Sequence, residues 1–222
     1  MNYFSPDFLD FFKELAANNH KDWFDVNRKR YEANVKKAFE VFVTDLIEAI
    51  QKHDKKIEIT YKEAIFRINR DIRFSKNKEP YKLNRSAIIS PKGRKDKAFP
   101  GLYLEMGPEH FRIYGGVYQP DKEQLYAIRE TIVSNPKAFN KLVNDKKFLA
   151  TFGEIRGEKN KVIPKEFKEE GAETPLVFNK QFYWFTQFEP ELIESESLLE
   201  KTMEVYMANK KVMDYFAKAM EI

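Results

Sequence analysis

Residues 67–82, RINRDIRFSKNKEPYK, place six bases and two acids in sixteen positions, interleaved with Ile, Phe and Tyr. Guanidinium and ammonium groups at this density suit an oxyanion. Arg73 offers a planar fork that matches a phosphate or carboxylate. Lys78 and Lys82 add ammonium donors, and Ser75 and Tyr81 add hydroxyls. Two or three charge-assisted hydrogen bonds, each contributing about 1.5–3 kcal/mol, would hold a small anion. The candidate ligand-binding set is Asn27, Arg67, Arg70, Arg73, Lys78, Tyr81 and Lys82. If the site does chemistry, Asp71 is the candidate acid–base group and Tyr81 a proton or hydrogen-bond donor, with Arg73, Lys78 and Lys82 stabilising negative charge. No acid and base with separated pKa values can be read here, so the reaction class is open. The opposing reading is structural, a ladder of Arg–Asp and Arg–Glu pairs that fastens this stretch to helices.

These residues need elements to hold them. The alternation in EAIFRINRDIRF predicts a strand over 63–74, with Ala64, Phe66, Ile68, Ile72 and Phe74 on one face. Arg67, Asn69, Asp71 and Arg73 take the other, with Asp71 and Arg73 close enough to pair. Arg70 falls on the apolar side, so it needs a carboxylate partner or a bend in the strand. Pro80 then sets an extended path into Tyr81 and Lys82. RSAIIS, GLYLEM and HFRIYGG read as three further strands joined by turn-rich connectors, which predicts an antiparallel meander.

Helices flank this region. SPDFLDFFKELAANN predicts a short first helix, and a long helix is expected from Lys21 to His53 with Trp23, Tyr31, Val35, Phe39, Phe42, Leu46 and Ile50 inward. Asn27 lies on that stripe and needs a partner if buried. Trp23, Phe24, Tyr31 and Phe74 are read as core. Helices are expected from Asp121, from Asn135 to Phe152, and from Glu191 to Met220. Residues 153–180 read as an irregular segment, and QFYWFTQFEP as an aromatic stretch packed over another element. The expectation is one α+β domain over 1–222: helical 1–55, sheet 56–118, mainly helical 119–222. Its antiparallel sheet has about four or more strands packed against N-terminal and C-terminal helices.

Composition narrows the chemistry. The chain has no cysteine, which excludes disulfides, thiolate catalysis and cysteine-ligated metals and fits a cytoplasmic protein. His20, His53 and His110 lack metal-ligand spacing, so no metal site is assigned. There is no phosphate loop, dinucleotide turn or nucleophile elbow, and the question of a cofactor is open. No run reaches the roughly 18 apolar residues of a membrane span, and MNYFSPDFLDFF has no signal-peptide pattern. The net charge of +4 is unevenly spread. From Arg67 to Lys97, eleven Lys and Arg accompany three acids, so this window carries +8 and the remainder −4.

IFRINRDIRFSKNKEPYK, together with FLDFFKELAANNHKDWFDVNRKRYE, PGLYLEMGP, YGGVYQPDKEQLYAIRE and IPKEF, resembles the uncharacterised family catalogued as domain of unknown function 2461. The resemblance spans about Phe4 to Met220. Its recurring positions include Asn19, Asn27, Arg67, Arg70, Asp71, Arg73, Lys78, Tyr81, Lys82, Gly115, Gly116 and Arg129. The resemblance implies no established activity, cofactor or partner. Gly115-Gly116 ends a strand, as a bend or as a close approach to a ligand. The leading expectation is a pocket for a phosphate- or carboxylate-bearing ligand, built from 67–82 and the second helix. One rival is a nucleic-acid-binding module, with Tyr81, Phe99 and Tyr103 between the bases. The other is a protein-interaction domain, with QFYWFTQF as an exposed patch; that idea fails if Phe182, Trp184 and Phe188 are buried.

Overall fold

The computed structural model describes residues 1–169 and 173–221. Residues 170–172, in the expected irregular segment, and residue 222, in the expected C-terminal helical part, lie outside the described residues. The N-terminal helix α1 (Asp7–Ala17) buries Phe8, Leu9, Phe11, Phe12 and Leu15. A second helix, α2 (Lys21–Val26), is capped by the His20 ring, which accepts from the Trp23 N–H at 3.4 Å.

The helix expected to run unbroken from Lys21 to His53 is interrupted. Asn27 leaves helical geometry, and its side chain donates to the Trp23 carbonyl at 3.0 Å. Beyond it, α3 (Arg28–Arg30) runs into a π-helical stretch (Tyr31–Lys37) and then α4 (Ala38–Gln51). Tyr31, Val35, Phe39, Val43 and Ile47 are all buried. Steps of four drift around a helix of 3.6 residues per turn, and the wider π turns absorb part of that drift. Arg30 forks between Asp7 (2.5 Å) and Glu14 (2.7 Å), fastening this stretch to α1.

The strand expected over 63–74 does not form. Thr60 and Glu63 make a capping box, with the Thr60 N–H donating to Glu63 Oε2 at 2.9 Å, and Tyr61–Ala64 becomes a helical turn, α5. This local signal overrides the alternation. What survives of the strand is a bridge from Ile65 to Ala87, with the Phe66 N–H donating to Ser86 O. Residues 68–70 and 80–82 then form the stem of a basic loop, through an Asn69–Tyr81 bridge and backbone bonds Arg70 N–H to Pro80 O and Lys82 N–H to Ile68 O. Phe74, expected in the core, is 95% exposed at the loop's tip.

The sheet is a four-stranded antiparallel array in the order β1 (Arg85–Ile89), β2 (Leu102–Met106), β3 (Phe111–Val117) and β4 (Phe182–Phe188). The three expected strands form, and the fourth is QFYWFTQF. The chain is thus α+β, although its sheet begins later than residue 56 and takes its last strand from the part expected to be mainly helical. Between β3 and β4 lie α6 (Lys122–Ser134), α7 (Pro136–Val143) and α8 (Lys146–Phe152); Asp145 caps α8 and splits the helix expected over 135–152. In the irregular segment that follows, Arg156 and Lys159 bridge to Tyr183 and Asn179. Arg129 of α6 is buried and donates to Val177 O (2.9 Å) and Asn179 O (3.2 Å). The last helix, α9 (Leu198–Met220), packs against β3, α4, α6 and α8.

One face of the sheet carries Leu102, Leu104, Met106, Phe111, Ile113, Phe182 and Trp184, and these join the residues of α1, α4 and α9 in one hydrophobic cluster. Among the described residues, no helix is long and apolar enough to cross a membrane.

Candidate functional site

The other face of the sheet is not sealed by helices. Period-two alternation sends to it the residues between the core positions: Ser86 and Ile88 from β1, Tyr103 and Glu105 from β2, Arg112, Tyr114 and Gly116 from β3, Tyr183, Phe185 and Gln187 from β4. Antiparallel register places Tyr103 opposite Tyr114 and Tyr114 opposite Phe185. Their ring centroids are 5.6 and 5.1 Å apart, and Phe66 extends the row at 6.0 Å from Tyr103. The result is a band of four rings across the sheet, forming the floor of a cleft of about 650 Å3. Lys97, Phe99 and Tyr118 complete the cleft lining from the connecting loops.

Cations flank the band. Lys82 Nζ lies 5.3 Å from the Phe66 ring centre, while Arg112 and Arg156 stand 5.7 and 4.3 Å from Phe185. Burial pushes the Lys82 ammonium pKa down, and Arg85 and Arg67 push it the same way; Glu105 opposes them. Burial also pushes the Tyr103 phenol up to about 12, with Glu105 adding to the rise, and Tyr114 is raised for the same two reasons.

Among the described residues, Glu105 is the one carboxylate lining the cleft. Its Oε1 lies 3.0 Å from His110 Nε2 and accepts from Tyr114 Oη at 3.3 Å, while Oε2 accepts from Tyr103 Oη at 3.4 Å. Arg112 is 3.9 Å away. A carboxylate with an imidazole behind it and two phenols on it can accept or relay a proton. Among the described residues, no three His, Asp or Glu side chains gather as a metal ion would need.

Gly115 and Gly116 serve this face in two ways. A Cβ at Gly115 would sit 2.5 Å from Trp184 Nε1, so its absence lets the indole pack on the core side. Gly116 has φ +127°, a region that favours glycine, and a Cβ there would lie 2.0 Å from Phe182 O. Gly116 also lines the cleft.

The expected site residues disperse. Lys82 lines the ring-floored cleft, and Arg67 lines a second cleft that shares Phe66 as a wall. Arg73 pairs with Asp71 (2.7 Å) on the exposed loop, and Arg70 reaches Glu79 (3.4 Å) and its carbonyl (3.1 Å). Lys78 is tied to Ile72 O at 3.0 Å. The Asp71 carboxyl is held below its usual range by its hydrogen bonds from Arg73. Tyr81 is buried, its ring stacked on Phe24 at 4.1 Å, and Asn19 clasps its backbone from both sides, donating to the carbonyl and accepting from the N–H. Asn27 is occupied with Trp23 O. Asn27, Arg70, Arg73, Lys78 and Tyr81 therefore stand apart from the cleft that Lys82 enters.

Sequence reasoning missed Glu105, Arg112, Tyr114 and Phe185. A signal was present: in GLYLEM and FRIYGG the non-core alternates are Tyr, Glu, Arg and Tyr, an amphipathic aromatic pattern rather than a plain solvated one.

The model of a family of conserved hypothetical proteins (DUF2461) matches residues 7–215. The chain belongs to that family. No protein of curated function matches it.

Proposed function

We propose that this member of the DUF2461 family binds a small molecule carrying a phosphate or carboxylate on a flat ring, in the cleft on the open face of its sheet. The carrying observation is the row Phe66–Tyr103–Tyr114–Phe185 with Lys82 at one end and Arg112 and Arg156 at the other. A flat ring gains dispersion and quadrupole contact over such a band, and the flanking cations favour an anionic substituent. A volume of about 650 Å3 falls in the range of small-ligand clefts. An enzymatic reading rests on Glu105, with His110 as its proton partner; Asp71, the other acid–base candidate, lies outside this cleft and is paired with Arg73. The continuous core supports treating the chain as a single domain, and the absence of cysteine supports a cytoplasmic setting.

A second reading, single-stranded nucleic acid, draws on the same band, because stacked rings flanked by bases also suit successive nucleobases. The interaction-patch reading loses its support, since Phe182 and Trp184 are fully buried and Phe188 packs against the core.

The test is a thermal-shift and calorimetric panel: a nucleoside monophosphate, an aromatic carboxylate, an uncharged nucleoside, inorganic phosphate and a short oligothymidylate. A ring-bearing anion at a hundred times its Kd should add about 2.7 kcal/mol of stability. Lys82→Gln and Phe185→Ala should each weaken it tenfold or more. An oligonucleotide that binds best, with affinity falling steeply and linearly on a log–log salt plot, would favour the second reading. Equal responses in the parent and both variants would sink the assignment to this cleft.

A further inference from the structure

Arg85 opens β1 on the helix-facing side of the sheet, opposite Met106, and is only 4% exposed. Its guanidinium lies 5.3 Å from the Phe39 ring centre. Its Nε is buried with no hydrogen-bond partner. Burial disfavours its charged form, while Tyr31, which also hydrogen-bonds it, and Glu40 favour it. The molecule's other deeply buried arginine shows what a structural role looks like: Arg129 spends Nε and Nη2 on two backbone carbonyls. Arg85 has no such carbonyl on its Nε; Tyr31 and Glu40 offset its charge only in part, and a buried guanidinium left partly unpaired is costly.

Arg85 lines the second cleft, of about 450 Å3, which shares Phe66 with the ring-floored one. Lys36, Lys62, Arg67 and Arg94 share it, and among the described residues Glu40 is the sole acid in its lining. None of these five cations joins an ion pair among the described residues. Arg94 donates to the Ile65 carbonyl, which keeps its guanidinium at the cleft wall. Arg30, by contrast, is shared between Asp7 and Glu14, and Arg73 is paired with Asp71. Here five converge on one carboxylate.

We propose that this second cleft is a phosphate-binding site, with Arg85 as its buried anchor and Lys62 and Arg67 closing over the anion. A tetrahedral dianion offers enough oxygens for a guanidinium fork and several ammonium groups at once. The site stands independently of the ligand assigned to the ring-floored cleft. Its chemistry fits free phosphate and the phosphate of a larger metabolite alike.

The experiment uses the full chain at constant ionic strength. Inorganic phosphate and glycerol 3-phosphate are titrated by calorimetry and by thermal shift, with chloride as the control salt. Phosphate should raise the Tm above the chloride baseline. Lys62→Gln/Arg67→Gln should weaken it at least tenfold, and Arg73→Gln, which removes a cation on the distant loop, should leave the response intact. Arg85→Met should abolish the response while melting no lower than the parent in chloride. Tighter binding of glycerol 3-phosphate would assign the site to a phosphomonoester; equal or weaker binding would assign it to the free ion. A parent that responds no more to phosphate than to chloride overturns the proposal. So does a double variant that binds like the parent, or an Arg85→Met protein that melts far below it in chloride, which would make Arg85 a structural residue.

Discussion

Trp184 and Phe185 are neighbours on β4 and live in different worlds. Trp184 is fully buried, 5.3 Å from Phe148 and 6.1 Å from Phe216. Phe185 is half-buried on the opposite face, against Tyr114 and beneath Arg156. Burial accounts for the first: a large ring in a closed core stabilises the fold, even with its indole N–H left without a partner. It does not explain the second, where a row of rings stays partly wet beside charged groups. The difference separates the aromatic weight of this chain into a part that holds the sheet and a part available for recognition.

The sharpest test of this separation is a pair of truncations. Trp184→Ala should cost about 3–5 kcal/mol, and Phe185→Ala about 1 kcal/mol. Urea unfolding with unchanged m-values would measure both, and equal losses would dissolve the distinction between the faces.

A smaller effect should appear at alkaline pH. The folded chain holds the Tyr103 phenol up to about 12, whereas an unfolded tyrosine ionises near 10. Between those values the unfolded chain has lost a proton that the folded chain keeps, so stability falls as pH rises through the window. Tyr3 and Tyr215, also raised to about 12, contribute to the same fall. Tyr103→Phe should make the decline shallower, by on the order of 1–2 kcal/mol across the window. Superimposable Tm–pH curves for the parent and the variant would mean that this phenol is not desolvated on the open face.

The smallest effect belongs to neither face. Arg73→Gln should leave the Tm unchanged within error, because its side chain is 77% exposed and its pair with Asp71 lies in water. A clear drop in Tm would give the basic loop a structural weight that its exposure does not suggest.

β2 and β3 were legible because each alternates cleanly, and β1 as a short apolar run between turn-rich connectors, buried along its whole length. QFYWFTQF was not, since aromatic residues on both faces erase the alternation that marks a half-buried strand. The false strand over 63–74 came from the reverse error. Its alternation was real, but Thr60 and Glu63 three positions apart form a helix-start signal that takes precedence. Beyond Ile68 the chain turns out into the loop, which is why Phe74 reaches solvent. The site was legible only as charge density. Sequence counts bases equally, whereas the fold leaves Arg70 and Arg73 to carboxylates of their own loop and carries Lys82 and Arg67 into clefts. Glu105 and Arg112 sat in strands that were correctly read, but only the pairing register brings them opposite each other.

The late arrival of β4 has a consequence for how the chain is made. Residues 118–181 must leave the ribosome before Phe182–Phe188 can dock on β3. Until then β3 presents an open edge of unpaired amides and carbonyls beside Tyr114, the kind of surface that recruits a strand from another molecule. The cleft is therefore among the last parts of the protein to exist during synthesis, and a nascent chain arrested before residue 182 would carry three of the four rings of its band next to an adhesive edge. Folding yield should accordingly depend on how quickly the last third of the chain follows the first two.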